Sequence, residues 1–268
     1  MNYIVIKTGG SVLEKLPNSF YKNLVKIQKE GQYQPVIVHG GGPLISTLLT
    51  KLGIEPDFID GLRVTSAEVL QVVEMVLSGS VNKDIVSRLQ LAGGEAYGIS
   101  GVDGKLMEAE SVAEKEELGL VGQVVKVKKE LIEEIIAQGQ IPVISPVSVT
   151  KDGQKLNVNG DVAASAVAKA LGGRLVFISD IPGIYVKENG QEKIFHELYA
   201  REAEELISQG VITGGMIPKV RAAIDGLTHN VKQVIILNGL EENSLNKYLA
   251  DEKIGSKIMA NEVNEHAE

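Results

Sequence analysis

Tyr3-Ile4-Val5-Ile6-Lys7-Thr8-Gly9-Gly10-Ser11 opens the chain as an apolar run that ends on a lysine and paired glycines. The run predicts a short buried strand. Glycines just beyond it let backbone N–H groups come close to an anion, because no Cβ intervenes. Lys7 adds positive charge at the carboxyl end of the strand, where open α/β sheets bind their ligands. The device recurs at Pro35-Val36-Ile37-Val38, followed by His39-Gly40-Gly41-Gly42-Pro43. Pro43 suits a first helical position, so the free N–H groups and positive dipole end of that helix would face the same anion. Two such loops after two buried strands predict a phosphate held between them.

Working outward, strand and helix patterns alternate. Helices are expected over residues 18–28, 44–52, 128–138, 162–171 and 200–208, and a long one over 65–91. Core strands are expected over 96–100, 141–145, 175–178 and 234–237, the last core strand of the chain. Thr65-Ser66-Ala67-Glu68 has the spacing of a capping box. The apolar stripe Val69, Val72, Val73, Val76 is wide for a surface helix and suggests a subunit contact. Lys151-Asp152-Gly153 predicts a hairpin turn whose return strand delivers Asn157 and Asn159 to one face. Asp161 follows at a helix start, which leaves it either a plain N-cap or a placed charge. Thr213-Gly214-Gly215-Met216 is a third glycine loop, with Lys219 just inside the next helix. Arg63, between a glycine and a helix start, either pairs with a nearby carboxylate or grips a ligand. The alternation defines an α/β fold with a mostly parallel sheet. The only seam falls near Gly172-Gly173, and the tail from Asn261 is expected to be disordered.

Composition narrows the function. At 268 residues a large core is affordable, and no apolar run is long enough to span a membrane. The first strand starts at once, which leaves no room for a leader peptide. Cysteine is absent, which removes thiolate chemistry and cysteine-based metal sites, and His39, His196, His229 and His266 lack ligand spacing. A net charge of −8 argues against a nucleic-acid partner. A cytoplasmic protein with a small-molecule ligand is expected. Neither G-x-G-x-x-G after a strand nor G-x-x-x-x-G-K-[ST] occurs. Three glycine loops, two lysines and an aspartate suit phosphoryl transfer, which needs donors, charge neutralisation and alignment more than covalent help. The lack of an obvious histidine base suits an acceptor that is already ionised, such as a carboxylate.

Lys7-x-Gly9-Gly10-Ser11, His39-Gly40-Gly41-Gly42-Pro43, Asp60-Gly61-Leu62-Arg63-Val64-Thr65, Asn157-Val158-Asn159-Gly160-Asp161 and Gly214-Gly215-Met216-x-x-Lys219 together resemble the amino acid kinase superfamily. The match spans nearly the whole chain in the family's order. Within the superfamily it is most similar to the branch that phosphorylates N-acetyl-L-glutamate with ATP in arginine biosynthesis. The resemblance implies one domain, a three-layer sandwich over residues 1–268, whose two lobes share a sheet. Residues 1–172 would bind the acceptor and dimerise, and 173–268 would bind nucleotide. Lys7 and Lys219 would stabilise the transferring phosphoryl group with help from Gly10 N–H, and Asp161 would orient both lysines. Gly41 and Gly42 would hold the reacting carboxylate, and Arg63 and Asn157 the rest of the acceptor. Asp180, Ile181, Pro182, Gly183, Ile184 and Tyr185, with Val211, Ile212 and Thr213, match the nucleotide segments. Mg²⁺ would arrive on ATP without a protein ligand. Ser66 and Gly160 depart from the family's common residues, and neither is expected at the reaction centre. Arginine-inhibited members carry an extra amino-terminal helix, so a homodimer indifferent to arginine is expected. A kinase for carrier-linked aminoadipate and a non-catalytic nucleotide-binding relative are the alternatives.

Overall fold

The computed structural model describes residues 1–112, 116–188, 191–213, 216–227, 231 and 233–260. Eight strands form the central sheet, in the order Glu197–Tyr199, Ser256–Met259, Gln233–Asn238, Arg174–Ser179, Tyr3–Thr8, Gln34–His39, Ile141–Ser145, Ala96–Ser100. All neighbours pair in parallel except Gln233–Asn238 with Ser256–Met259. The strands read as unbroken apolar runs because both faces are covered. Pleating sends Ile4 and Ile6 into one core and Val5 into the other; Ile37 opposes Val36 and Val38 in the same way. Helices Asn18–Glu30, Gly42–Lys51 and Ala67–Glu74 cover one face, and Lys129–Ala137, Gly160–Leu171 and Met216–Leu227 the other. This is the expected three-layer α/β sandwich.

Several details differ from the sequence expectation, each for a local reason. Ala96–Ser100 lies at the edge of the sheet, with Tyr97 48% exposed, so it is not a fully buried strand. The strand at 233–238 is not the last of the chain in the sheet, since the weakly patterned Ser256–Met259 adds beyond it. Residues 65–91 form no single α-helix. Ala67–Glu74 passes into a π-helical segment, Met75–Val81, and then into Asn82–Leu91. Its cap is Ser66, whose Oγ accepts from Val69 N, and not Thr65. Val69, Val72, Val73 and Val76 are buried in the chain's own core, so the stripe does not mark a subunit surface. Met75 and Leu91 are the exposed apolar residues of this stretch.

Two small β units carry site residues. Phe58–Ile59 and Leu62–Arg63 form a ribbon around Asp60 and Gly61, both at positive φ as a primed hairpin turn requires. Met107–Ser111, Val121–Val127, Val147–Val149 and Lys155–Val158 close into a barrel, which hydrophobic alternation alone did not distinguish from isolated ribbons. The Gly214-Gly215 loop and the tail from Asn261 lie outside the described residues.

Candidate active site

The two glycine loops abut. A Cβ on Gly10 would stand 2.8 Å from Gly41 Cα and 2.9 Å from Pro43 Cδ. Neither backbone nor ring can yield at that distance, so only glycine lets the loops meet. Gly10→Ala should cost roughly 1–3 kcal/mol by overpacking, while Gly42→Ala, which meets nothing within 4 Å, should melt like the parent. Thermal melting of the two variants checks this. Gly10, Gly41 and Gly42 line one cavity of about 200 Å³ together with Lys7, Arg63, Asn157 and Asp161. Among the described residues, no hydrogen-bond acceptor is met by the N–H of Gly41 or Gly42.

Lys7 Nζ pairs with Asp161 Oδ1 at 2.8 Å, and both side chains are mostly buried. Asp161 is therefore not the helix cap. Asn159 caps the helix Gly160–Leu171, its Oδ1 accepting from Asp161 N and Val162 N. That leaves Asp161 in the first turn with its carboxylate on the lysine. Asn157 lies one residue inside the end of its strand and donates Nδ2 to Thr65 Oγ1 at 3.0 Å. Thr65 Oγ1 in turn donates to Arg63 O at 2.7 Å. Gly160, expected away from the reaction centre, lines the same cavity. A Cβ there would stand 3.5–3.6 Å from His39 O, Gly40 Cα and Lys7 Cε, in ordinary contact, so an alanine would also fit.

Arg63 has no carboxylate partner among the described residues. Nη2 donates to Gly42 O at 3.0 Å and to Ser46 Oγ at 2.8 Å, and the guanidinium sits 4.6 Å over the Phe58 ring. Nη1 is buried without a partner. Burial lowers the pKa of Arg63, yet a guanidinium stays charged in proteins. A cation that lines a cavity and has no carboxylate partner among the described residues calls for an anion. Ser46 and Phe58 were not singled out in the sequence. Their signals are faint: Ser46 is four residues along the helix from Gly42, and Phe58 faces Arg63 across the Asp60-Gly61 turn.

Lys219 Nζ donates to Ser179 Oγ at 2.7 Å, at the carboxyl end of the strand beside Lys7's own. Ser179, which sequence reasoning missed, is fully buried. Burial pushes the Lys219 ammonium below its usual range; Asp180 opposes this, Lys7 adds to it and Asp161 opposes it. Lys219 thus feels both members of the Lys7–Asp161 pair, while its direct partner is the serine. A second cavity, about 520 Å³, is lined by Tyr185, Val186, Val211, Thr213 and Met216. Of the expected nucleotide residues, Tyr185, Val211 and Thr213 reach it, and Val186 and Met216 join them. Ile184 and Ile212 instead turn into the core. Gly183 packs against Ser256, where a Cβ would come within 2.6 Å of Oγ. Asp180 is exposed beside Ser179, and Ile181 and Pro182 are half-buried.

His39 is wholly buried, and desolvation takes its pKa down to about 4, with Lys83 adding and the Gly40 hydrogen bond opposing. A depressed folded pKa favours the neutral ring. Its stabilisation is therefore complete above the unfolded value near 6.5 and is lost as pH falls from there to about 4. The loss should total about 3 kcal/mol. Urea unfolding of wild type and His39→Gln from pH 7 to pH 4 should show the variant lacking this component.

The Lys7–Asp161 pair, the converging glycine loops and Arg63 line one cavity, and Lys219 is electrostatically coupled to the pair from beside it. The chain belongs to the amino acid kinase family, whose model matches residues 2–238. It is 47% identical to the acetylglutamate kinase of Oceanobacillus iheyensis over 98% of this chain and 99% of that one. It is 44% identical to the acetylglutamate kinase of Brevibacillus brevis, over 96% and 97% of the two chains. The crystal structure of smu.665 from Streptococcus mutans UA159 superposes with a TM-score of 0.83 at 32% identity, covering 97% of this chain and 99% of that one.

Proposed function

We propose that the chain transfers the γ-phosphoryl group of ATP to the γ-carboxylate of N-acetyl-L-glutamate. A carboxylate oxygen bonds to the γ-phosphorus as the bond to the ADP oxygen breaks, giving an acyl phosphate and ADP; no proton moves. The observation that supports this is Arg63, a guanidinium with no carboxylate partner among the described residues, lining the same cavity as Lys7, Gly10, Gly41 and Gly42. A dicarboxylate suits that cavity, with its α-carboxylate on Arg63 and its γ-carboxylate at Gly41 and Gly42. Asn157, its amide N–H₂ turned to Thr65, keeps an oxygen to accept the acetamido N–H. Lys7 and Lys219 neutralise charge that grows on the phosphoryl oxygens, and Asp161 fixes Lys7.

ATP is placed in the cavity of Tyr185, Val211 and Thr213, which makes residues 173–268 the nucleotide lobe and 1–172 the acceptor lobe. Mg²⁺ would arrive on ATP, held by phosphate oxygens and water and neutralising their charge. No described helix is long and apolar enough to cross a membrane, and the cytoplasm is the proposed location. A homodimer is proposed from the family resemblance, and sedimentation equilibrium tests it. Trapping the acyl phosphate with hydroxylamine tests the reaction itself, across N-acetyl-L-glutamate, N-acetylaspartate, glutamate and aminoadipate. Hydroxamate should form with N-acetyl-L-glutamate in large preference; preference for another acid would overturn the assignment.

A further inference from the structure

Behind the Gly40–Gly42 loop lies a polar chain of His39, Asn82 and Lys83, none of which lines either cavity. His39 and Asn82 are 0% and 1% exposed. Asn82 Nδ2 faces Val143 O at 2.9 Å, His39 Nε2 at 3.2 Å and Ile99 O at 3.4 Å, while Lys83 Nζ donates to its Oδ1 at 3.0 Å. A carbonyl on one side and an ammonium on the other fix which end of the amide is which. Nε2 thus faces an amide nitrogen, which cannot accept, so the single proton of the neutral ring sits on Nδ1. Nδ1–H then donates to Gly40 O at 3.2 Å.

The carbonyl of Gly40 and the N–H of Gly41 belong to one planar trans peptide and point in opposite directions. Anchoring the carbonyl on buried His39 aims the Gly41 N–H away from the ring, and Gly41 lines the cavity described above. The underside of the loop is fixed by the π-helical segment: a Cβ on Gly41 would meet Leu77 Cδ2 at 2.7 Å and Val81 Cγ2 at 3.3 Å. The wider π turn directly precedes Asn82 and coincides with this contact, as π segments at functional sites often do. Gly98 leaves the room Asn82 occupies, since a Cβ there would stand 2.1 Å from Oδ1.

We infer that His39 and Asn82 are positioning residues that set the orientation of the Gly40–Gly41 peptide and so aim the Gly41 N–H at the reacting group. This rests on the proposed acceptor site for its kinetic consequence, though not for its geometry. The two amide residues separate the roles of the ring. Asparagine places its N–H₂ where histidine has Nδ1, and glutamine places it where histidine has Nε2. His39→Asn should therefore keep the bond to Gly40 O and retain most of kcat, despite leaving the larger void. His39→Gln, closer in size, should lose roughly 10–100-fold in kcat, as small misplacements do, with ATP KM unchanged. Asn82→Asp should act like His39→Gln, because a carboxylate accepts at Nε2 and draws the ring proton away from Nδ1.

¹⁵N NMR of the ring, without substrate, should show Nδ1 protonated in wild type and Nε2 protonated in Asn82→Asp. A wild-type ring protonated on Nε2 would overturn the inference, as would kcat that follows melting temperature with glutamine the better substitute. Wild type that makes no hydroxamate from N-acetyl-L-glutamate would sink the proposed reaction alone. The ring tautomer and the Gly41 amide shift, more perturbed by glutamine than by asparagine, would then decide the positioning role.

Discussion

Lys219→Ala lowers kcat by roughly 10²–10³, about 3–4 kcal/mol of transition-state stabilisation, and leaves the KM for N-acetyl-L-glutamate nearly unchanged. The ammonium lies away from the acceptor cavity, on Ser179 and within the field of Asp180, Lys7 and Asp161. Its work is greatest when charge builds on the phosphoryl oxygens, so its removal appears in kcat. In the proposed assignment Arg63 acts on a carboxylate remote from the reacting atom, with equal strength in ground and transition states, and that kind of binding appears in KM. Arg63→Ala should raise acceptor KM strongly and leave ATP KM unchanged. Some loss of kcat should accompany it, since Arg63 also holds Gly42 O and Ser46 beside the glycine cradle. Arg63→Lys guards against a variant that fails to fold. It keeps the charge but cannot hold Gly42, Ser46 and a carboxylate together, so acceptor KM should still rise. Steady-state kinetics on all three decides the matter: weaker ATP binding in an Arg63 variant, or a pure KM effect at Lys219, would mean the roles are misplaced.

The parts legible in the sequence are those written in local chemistry. Strands Tyr3–Thr8 and Gln34–His39, buried on both faces, are continuous apolar runs, and the glycines after them mark the loops. Glycine stops at Gly31 and Gly139 are at positive φ, and the Asp152-Gly153 turn joins the strands expected of it. What escaped depends on long-range packing. Tyr97 is exposed because its strand falls at the sheet edge, a matter of strand order that no window of sequence encodes. The valine stripe of 69–76 looked like surplus apolar surface until the sheet and neighbouring helices were there to cover it. The choice between cap and charge at Asp161 turned on Asn159, whose side chain leaves the strand pattern to close the helix. Ser46, Ser179 and Asn82 carry no motif of their own. Their places are set by Arg63, Lys219 and His39, and only the fold brings the partners together.

Asp161→Asn should lower turnover by roughly a hundredfold, the scale of losing one placed electrostatic group at a phosphoryl-transfer centre. The substitution preserves shape and removes charge. Helix capping is untouched, because Asn159 supplies it, and asparagine is itself tolerated at helix starts. The partner that suffers is Lys7, 12% exposed and 2.8 Å from the carboxylate. Without that anion, a mostly buried ammonium pays its desolvation uncompensated and shifts position. The shift moves positive charge away from the proposed point of phosphoryl transfer. The mechanism also predicts non-additivity. If Asp161 acts through Lys7, the double variant Lys7→Ala/Asp161→Asn should be little worse than Lys7→Ala, since the aspartate has nothing left to orient. Two independent contributions would instead multiply. Kinetics of the two single variants and the double, read beside their melting temperatures, separates these cases. Near-normal turnover in Asp161→Asn would reduce the pair to a structural ion bridge, and full multiplication would assign Asp161 a second partner, with Lys219 the candidate its electrostatic coupling already names.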